Sequence, residues 1–567
     1  MMNVGGIEYA YVPNGSYLET SDPVLNPDVS APAIGGVNYN GVSVVPLSAT
    51  SGTRTEIATP DAVNSCAGNP NTGKVVCTSN HNDIYIIDSA TNTITATLRS
   101  GGNPSFPFYS SGGACITCGV TVNPVTNTAI IGVSENPTAN SGMSGYQVLD
   151  LSNNTLGPVF HVTGNHIAES WSVDTDRSLL LSPTENVGPL EPDLSGNSVS
   201  GDGPWSLTHP AQLHLFDLSN ATPAQFDLGS PDTLFNPINE PDAVAQDSSG
   251  IAVATLEFTG NLLLTDLSQA SRTGGNPGTW SAPSQLQYLP ELGPSEMFQP
   301  FFPQGPLQAM FTSGGTAISI ATGTHYGFLE DEFGAGSIGA FIMQSSPKPG
   351  QAPVIEDYVF ASMPNDPVTQ APWQNPFDPH GLAAAYVTIG SGNAYGVLMN
   401  STYNAAQASA SASADGNSTI RASRSSIAVV SLPGLLAAPR VSGCAQNAVP
   451  IASITESGST VTVTTASPHG FSAGQTVTIG DLYSGWVEDP SGKLGYNGTF
   501  TIASVPDSTS FTYENSVTGL ADAVAGADLF AGANATVDIC TPNFSGHFVD
   551  PSYDLVANGV IRFFPIH

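Results

Sequence analysis

One stretch constrains the fold more than any other. Residues 119–151, GVTVNPVTNTAIIGVSENPTANSGMSGYQVLDL, read as strand, tight turn, strand, loop, strand. Val120 and Val122 alternate with polar residues, NPVTN (123–127) is a run of turn formers, 129–133 is a second apolar run, and 146–151 is a third that carries Asp150. Three short antiparallel strands cannot bury both faces alone, so the pattern demands copies of itself packed alongside.

The copies are present at uneven spacing. The turn with its second strand recurs as NPNTGKVVCTSN (69–80), VDTDRSLLLSP (173–183), AQDSSGIAVATL (245–256), FTSGGTAISIAT (311–322) and VDPSYDLVANG (549–559). The third strand recurs as DIYIIDSATN (83–92), LHLFDLSNA (213–221) and LLLTDLSQA (262–270), with looser versions at 337–346, 426–434 and 559–566. About seven units of roughly 40–70 residues follow, the range of propeller blades with loop insertions. The Asp after each third strand (Asp88, Asp150, Asp217, Asp266) is expected to cap a turn, since an active site does not need one copy per repeat.

DIYIIDSATNTITATLRSG (83–101) and GVTVNPVTNTAIIGVS (119–134) resemble the YVTN-repeat β-propellers, a group similar in fold to the seven-bladed lactonase-type propellers. The resemblance implies an all-β, seven-bladed β-propeller and leaves the chemistry open, because propellers host many unrelated functions. Residues 1–38 lack periodicity and read as an N-terminal arm; 39–444 as a closing strand and blades one to six; 540–567 as blade seven. The strand near 41–48 is expected to complete that last blade and remove the open edge of the ring. Residues 445–539 alternate short strands with Gly turns and resemble the small β-sandwich or barrel modules of bacterial surface and phage-tail proteins, inserted between blades six and seven.

Composition agrees with an all-β chain and excludes some partners. The 59 glycines and 45 prolines make about 18% of the 567 residues, against roughly 12% in average usage, which favours turns over long helices. Acidic residues number 46 and basic ones 11, for a net charge of −35, yet charged residues are only 10% of the chain. Nucleic acid and anionic membrane need Lys and Arg to displace counterions, so neither is an expected partner. No run is apolar enough to span a membrane, and 1–17 lacks the basic start and apolar stretch of a leader.

Six cysteines fit disulfides in an oxidising compartment and allow 15 pairings. Cys66 and Cys77 flank one turn and could bridge adjacent strands; Cys115 and Cys118 read as a structural bridge in a loop; Cys444 and Cys540 bracket the inserted module and could tie its neck.

In a propeller the innermost strands line a channel and their first residues crowd one mouth. Those starts give Asp61, Glu169, Asp242, Glu296, His380 and His547, with Trp171 and Phe298 alongside. Acidic oxygens converging there could hold Ca²⁺, or could line a solvated polar channel. Glu169 and His380 could serve as an acid/base pair on an ester or lactone, if they approach within hydrogen-bond reach. His161 and His166 lack a third ligand and read as surface residues. No GxSxG elbow, HExxH or phosphate loop occurs. Two functions are therefore carried forward. One is a secreted, non-catalytic propeller that binds protein or glycan partners at a cell surface, or its own copies; the other is a lactonase- or esterase-like hydrolase with a Ca²⁺-supported acidic funnel.

Overall fold

A computed structural model describes residues 1–14, 41–47, 54–102, 108–133, 145–162, 171–184, 212–229, 241–289, 316–362, 385–403, 422–440, 447–479, 498–515, 534–537 and 547–565, apart from short gaps within these ranges, together with a few two-residue strands. Nearly all regular structure is β. Six four-stranded antiparallel sheets and one enlarged to six strands follow one another in chain order. Their first strands are Met2–Val4, Val63–Asn69, Thr117–Asn123, Ser172–Asp174, Pro241–Gln246, Thr316–Ile320 and Ala385–Ile389; we number the sheets 1 to 7 accordingly. No helix among the described residues is long and apolar enough to cross a membrane.

Each sheet buries both faces against neighbours, which explains the continuous apolar runs. Leu179–Thr184 and Ile251–Leu256 are second strands buried at every position, whereas the outer strand Thr93–Arg99 alternates between exposed and half-buried residues. One apolar cluster joins each successive pair of sheets. Tyr11 and Val44 meet Val75 and Tyr85 between sheets 1 and 2; Val76 and Ile86 meet Ile131 and Leu149 between 2 and 3; Tyr146 and Phe160 meet Leu180 and Phe216 between 3 and 4. Leu181 and Leu215 meet Ala252 and Leu263, Val253 and Leu264 meet Ile318 and Phe341, and Phe328 and Ile338 meet Ala428 and Val430. Ala10, Val12 and Val45 of sheet 1 pack on Ile427, Val429 and Phe564 of sheet 7.

Polar bonds reinforce these seams at the turn after each first strand. Buried Asn69, Asn123, Asp174 and Asp247 each accept backbone N–H groups of their own turn. Three of them also reach the next sheet: Asn69 Nδ2 donates to Asn127 Oδ1 (3.2 Å), Asn123 Nδ2 to the Thr175 carbonyl (3.4 Å), and Asp247 Oδ2 lies 3.2 Å from His325 Nδ1. The aspartates after the third strands do cap their turns. Asp88 accepts from the amides of Ala90 and Thr91, Asp150 from Ser152, Asp217 from Ser219 and Asp266 from Ser268.

The chain ends depart from expectation. Met2–Val4 and Ile7–Asn14, read from the sequence as part of an N-terminal arm without periodicity, form a hairpin across Gly5-Gly6, both of which have positive φ. Gly41–Pro46 does not complete the last sheet; it pairs with Ile7–Asn14 and Thr55–Ala58 inside sheet 1. Among the described residues of 540–567 there is one strand: Ile561–Pro565 is the outer strand of sheet 7, beside Ala422–Ser431. The region 445–539 therefore interrupts a single sheet instead of separating two. A short loop to a nearby strand costs less closure entropy than a pairing with the far end of the chain.

That inserted region has its own strand cycle. Asn447–Ser457 pairs with Thr460–Thr465, which pairs with Ser510–Glu514, then Gly498–Asp507, then Thr476–Ile479, then Asn534–Val537, which returns to Asn447–Ser457. Ile454, Val461, Val463, Val477, Ile502, Phe511 and Tyr513 fill its core. Closure leaves no free edge in the cycle.

Cys66 and Cys77 are bonded and stand directly opposite in sheet 2, with Cα atoms 4.2 Å apart. Cys115, Cys118, Cys444 and Cys540 have side chains outside the described residues. The Cys66→Ala/Cys77→Ala variant is expected to lose roughly 2–3 kcal/mol, the denatured-state entropy of so short a loop. Thermal melts of both proteins under non-reducing conditions check this, and an unchanged midpoint contradicts it.

Candidate functional site

Asp61 lies just before the first strand of sheet 2, as expected, but its oxygen is already engaged. Oδ2 is 2.9 Å from His81 Nδ1 and accepts the His81 backbone N–H at 3.2 Å. Burial alone would push the Asp61 carboxyl up; hydrogen bonds from His81 and Ser79 outweigh it and hold the group below its ordinary range. His81 is pushed up, first by that hydrogen bond, against the effect of its own partial burial. Its side chain is 71% exposed while that of Asp61 is 19% exposed, so a fixed carboxylate orients an imidazole that faces solvent. Below this pair, Tyr85 is fully buried, and desolvation raises its phenol strongly.

The dyad sets a pH window. Asp61 contributes stability above the ordinary carboxylate range that is lost as pH falls through its depressed value. His81 contributes stability below about pH 6.5 that is lost as pH rises through its raised value. Both are present together between about pH 4 and 6.5, so the deficit of Asp61→Asn should peak there and shrink toward pH 3 and pH 8. Solvent screening keeps it below about 1 kcal/mol. Urea titrations of both proteins at pH 3, 5.5 and 8 read it; a deficit independent of pH contradicts the assignment.

Of the other expected funnel residues, Trp171 and His547 have described side chains. Among the described residues no group of three or more His, Cys, Asp or Glu side chains could hold a metal ion. Glu169, Glu296, Phe298, His380 and His166 lie outside the described residues, as does the side chain of Asp242, whose backbone belongs to Pro241–Gln246. Trp171 packs edge-on against Tyr146 (5.2 Å) and against Gly119, so it belongs to the seam between sheets 3 and 4. His161 is exposed on the outer strand of sheet 3.

His547 is a correction. It was expected at the channel mouth, yet its ring stacks on Tyr358 at 3.9 Å, on the outer strand of sheet 6. The reason is topological: the strand that follows it is the outer one of sheet 7, so the approach to that strand runs along the periphery.

Sequence reasoning missed a buried network in sheet 4. His214 is 2% exposed; its Nδ1 lies 2.8 Å from Asp227 Oδ1 and its Nε2 3.2 Å from Thr184 Oγ1. Gln225 Nε2 donates to the same Asp227 oxygen at 2.8 Å. Burial opposes the Asp227 charge, and the bonds from His214 and Gln225 hold its carboxyl below the usual range. Carboxylate, imidazole and hydroxyl in line suggest a nucleophile relay. Thr184 is fully buried, however, and sits within the strand ladder, so no substrate reaches it. The network satisfies polar groups inside a sheet. The available signal was a histidine set among alternating leucines in LHLFD (213–217).

Comparisons with known proteins set no family. No protein-family model and no curated protein matches the chain. Among solved structures, the β-propeller domain of Myceliophteria thermophila Cps50 (Swd1) is similar at 8% identity and TM-score 0.38, over 66% of this chain and 84% of that one. U3-55K is similar at 8% and 0.36, over 65% and 83%. The complex of KlAtg21 with the coiled coil of AgAtg16 is similar at 10% and 0.35, over 70% and 89%. With all three scores below 0.5, the propeller arrangement rests on the succession of four-stranded sheets and the cores between them.

Proposed function

We propose that the seven sheets are the blades of one closed propeller, and that the chain is a non-catalytic binding scaffold working outside the cytoplasm on protein or glycan partners. Support for the blade count comes from the seven inter-sheet clusters, the last of which joins sheet 7 to sheet 1. The observation that carries the binding reading is the inserted strand cycle with a complete core of its own. It interrupts an outer position of one sheet, so its contribution is additional surface. The Cys66–Cys77 bond favours an oxidising compartment. Peptide and glycan arrays probed with the full chain test this reading: saturable, competable binding is expected, and hydrolytic turnover without binding overturns it.

A lactone or ester hydrolase is the second reading, favoured by one observation, the exposed His81 ring oriented by Asp61. An imidazole so held can act as a general base toward water. Calcium supported by Asp61, Glu169, Asp242 and Glu296 belongs to this reading. Calorimetric titration with Ca²⁺, followed by a screen of lactones and esters, tests it. Stoichiometric binding lost in Asp242→Asn would favour it, and no binding with no turnover rejects it.

A further inference from the structure

The segments that leave and rejoin sheet 7 around the insertion do not stay on sheet 7. They cross to the outer strand of sheet 6, Ile355–Ser362. Phe360 N donates to the His547 carbonyl at 2.6 Å and Val549 N donates to the Phe360 carbonyl at 2.9 Å, so this segment extends the edge of sheet 6. Arg440 faces Val549 in an antiparallel bridge, and Asp550 N donates to the Pro439 carbonyl at 2.8 Å. The outgoing and returning chains are thus side by side on the same strand.

Side chains fix this arrangement from both sides. Arg440 Nη1 donates to Asp357 Oδ1 (2.8 Å), Nη2 to Asp357 Oδ2 (2.6 Å), and Nη2 also to the Leu436 carbonyl (3.0 Å). Such a two-pronged pair has the planar match that gives arginine its geometric specificity. The His547 ring lies parallel to that of Tyr358, at 3°. On the inner side Leu432, Leu435, Ala438, Val549, Leu555 and Val560 enter the core shared by sheets 6 and 7.

We propose that the segments 432–440 and 547–560 form a strap that locks Ile561–Pro565 into sheet 7 and staples sheets 6 and 7 across their seam. The strap does for this seam what a short loop does elsewhere. Without it, Ile561–Pro565 would have to find Ala422–Ser431 across the intervening 129 residues, 432–560. With Arg440 and Val549 already in register, only the few residues after Asp550 remain to be closed, and loop-closure entropy falls with loop length. The strap also pairs with Phe360 on the outer edge of sheet 6, so that edge is partly covered. The assignment does not depend on what the inserted unit binds.

Hydrogen exchange on the full chain tests the strap. In Arg440→Ala, the amides of Phe360, Val549 and Ile561 should exchange about ten-fold faster or more, while Val461 and Tyr513 of the inserted unit keep their rates. Asp357→Ala should give the same pattern, and the double variant should add little to either single one. Arg440→Lys, which keeps the charge without the fork, should fall between and serves if the alanine variant does not fold. Unchanged exchange at Phe360 and Ile561, or an equal rise throughout both units, overturns the proposal.

Discussion

Gly327→Ala is expected to destabilise the protein by about 3 kcal/mol, at the upper end of what one added methyl does in a packed core. Gly327 on Tyr326–Asp331 stands opposite Phe341 on Ser337–Met343, and a β-carbon at 327 would come within 1.9 Å of the Phe341 ring. The ring cannot swing away, because Phe341 is fully buried among Leu264, Ile318 and Met343 between sheets 5 and 6. The arrangement repeats: Gly339 lies beneath Phe360, 2.5 Å from where its β-carbon would be, and Gly396 beneath Phe328 at 2.8 Å. Urea unfolding should show the loss, and Gly327→Ala combined with Phe341→Leu should recover about 1 kcal/mol or more relative to the sum of the single changes. A stable Gly327→Ala variant would mean that the ring is not held as described.

Asp247→Ala is expected to cost a similar amount, about 3 kcal/mol, by a different route. The carboxylate is buried and accepts from Ser249 N (2.9 Å), Ile251 N (2.8 Å) and the Ser249 hydroxyl, with His325 Nδ1 of sheet 6 at 3.2 Å. Alanine strands the buried Ile251 amide, at a desolvation penalty of roughly 1–3 kcal/mol, and also removes the acceptor for the more exposed Ser249 amide and the charged partner of His325. Asp247→Asn keeps one acceptor oxygen for the turn and should recover about half of the loss. Melting temperatures of the three proteins decide the order, and equal values for asparagine and alanine would place the whole effect on the charge.

Local chemistry was legible in the sequence, and long-range pairing was not. The repeats carry, within their first three residues, the Asn or Asp that caps the turn (Asn69, Asn123, Asp174 and Asp247), so these hairpins were visible in the sequence. The echo at 549–559 begins the same way with Asp550, but it opens a turn along the rim and no second strand follows. Turn chemistry reports only a few residues and cannot say which sheet they join. Ile7–Asn14 lies in the stretch read as an arm without periodicity, and one of its two partner strands begins only at Gly41. Asp61 precedes the first strand of its sheet, whereas the strand after His547 is the last of its own, a difference that turn chemistry alone does not reveal.

Protein synthesis runs in one direction, and the split in sheet 7 gives it a timetable. Ala422–Ser431 emerges with no outer neighbour, and Ile561–Pro565 follows only after 129 more residues, 432–560. At about 5–20 residues per second, the ribosome takes roughly 6–26 seconds to deliver it. During that interval the inserted cycle, whose strands all lie between Asn447 and Val537, can fold completely while the last sheet waits with an open edge. The nascent chain is thus most vulnerable to mispairing while residues 432–560 are being translated, and a chaperone or a slow codon would matter most there.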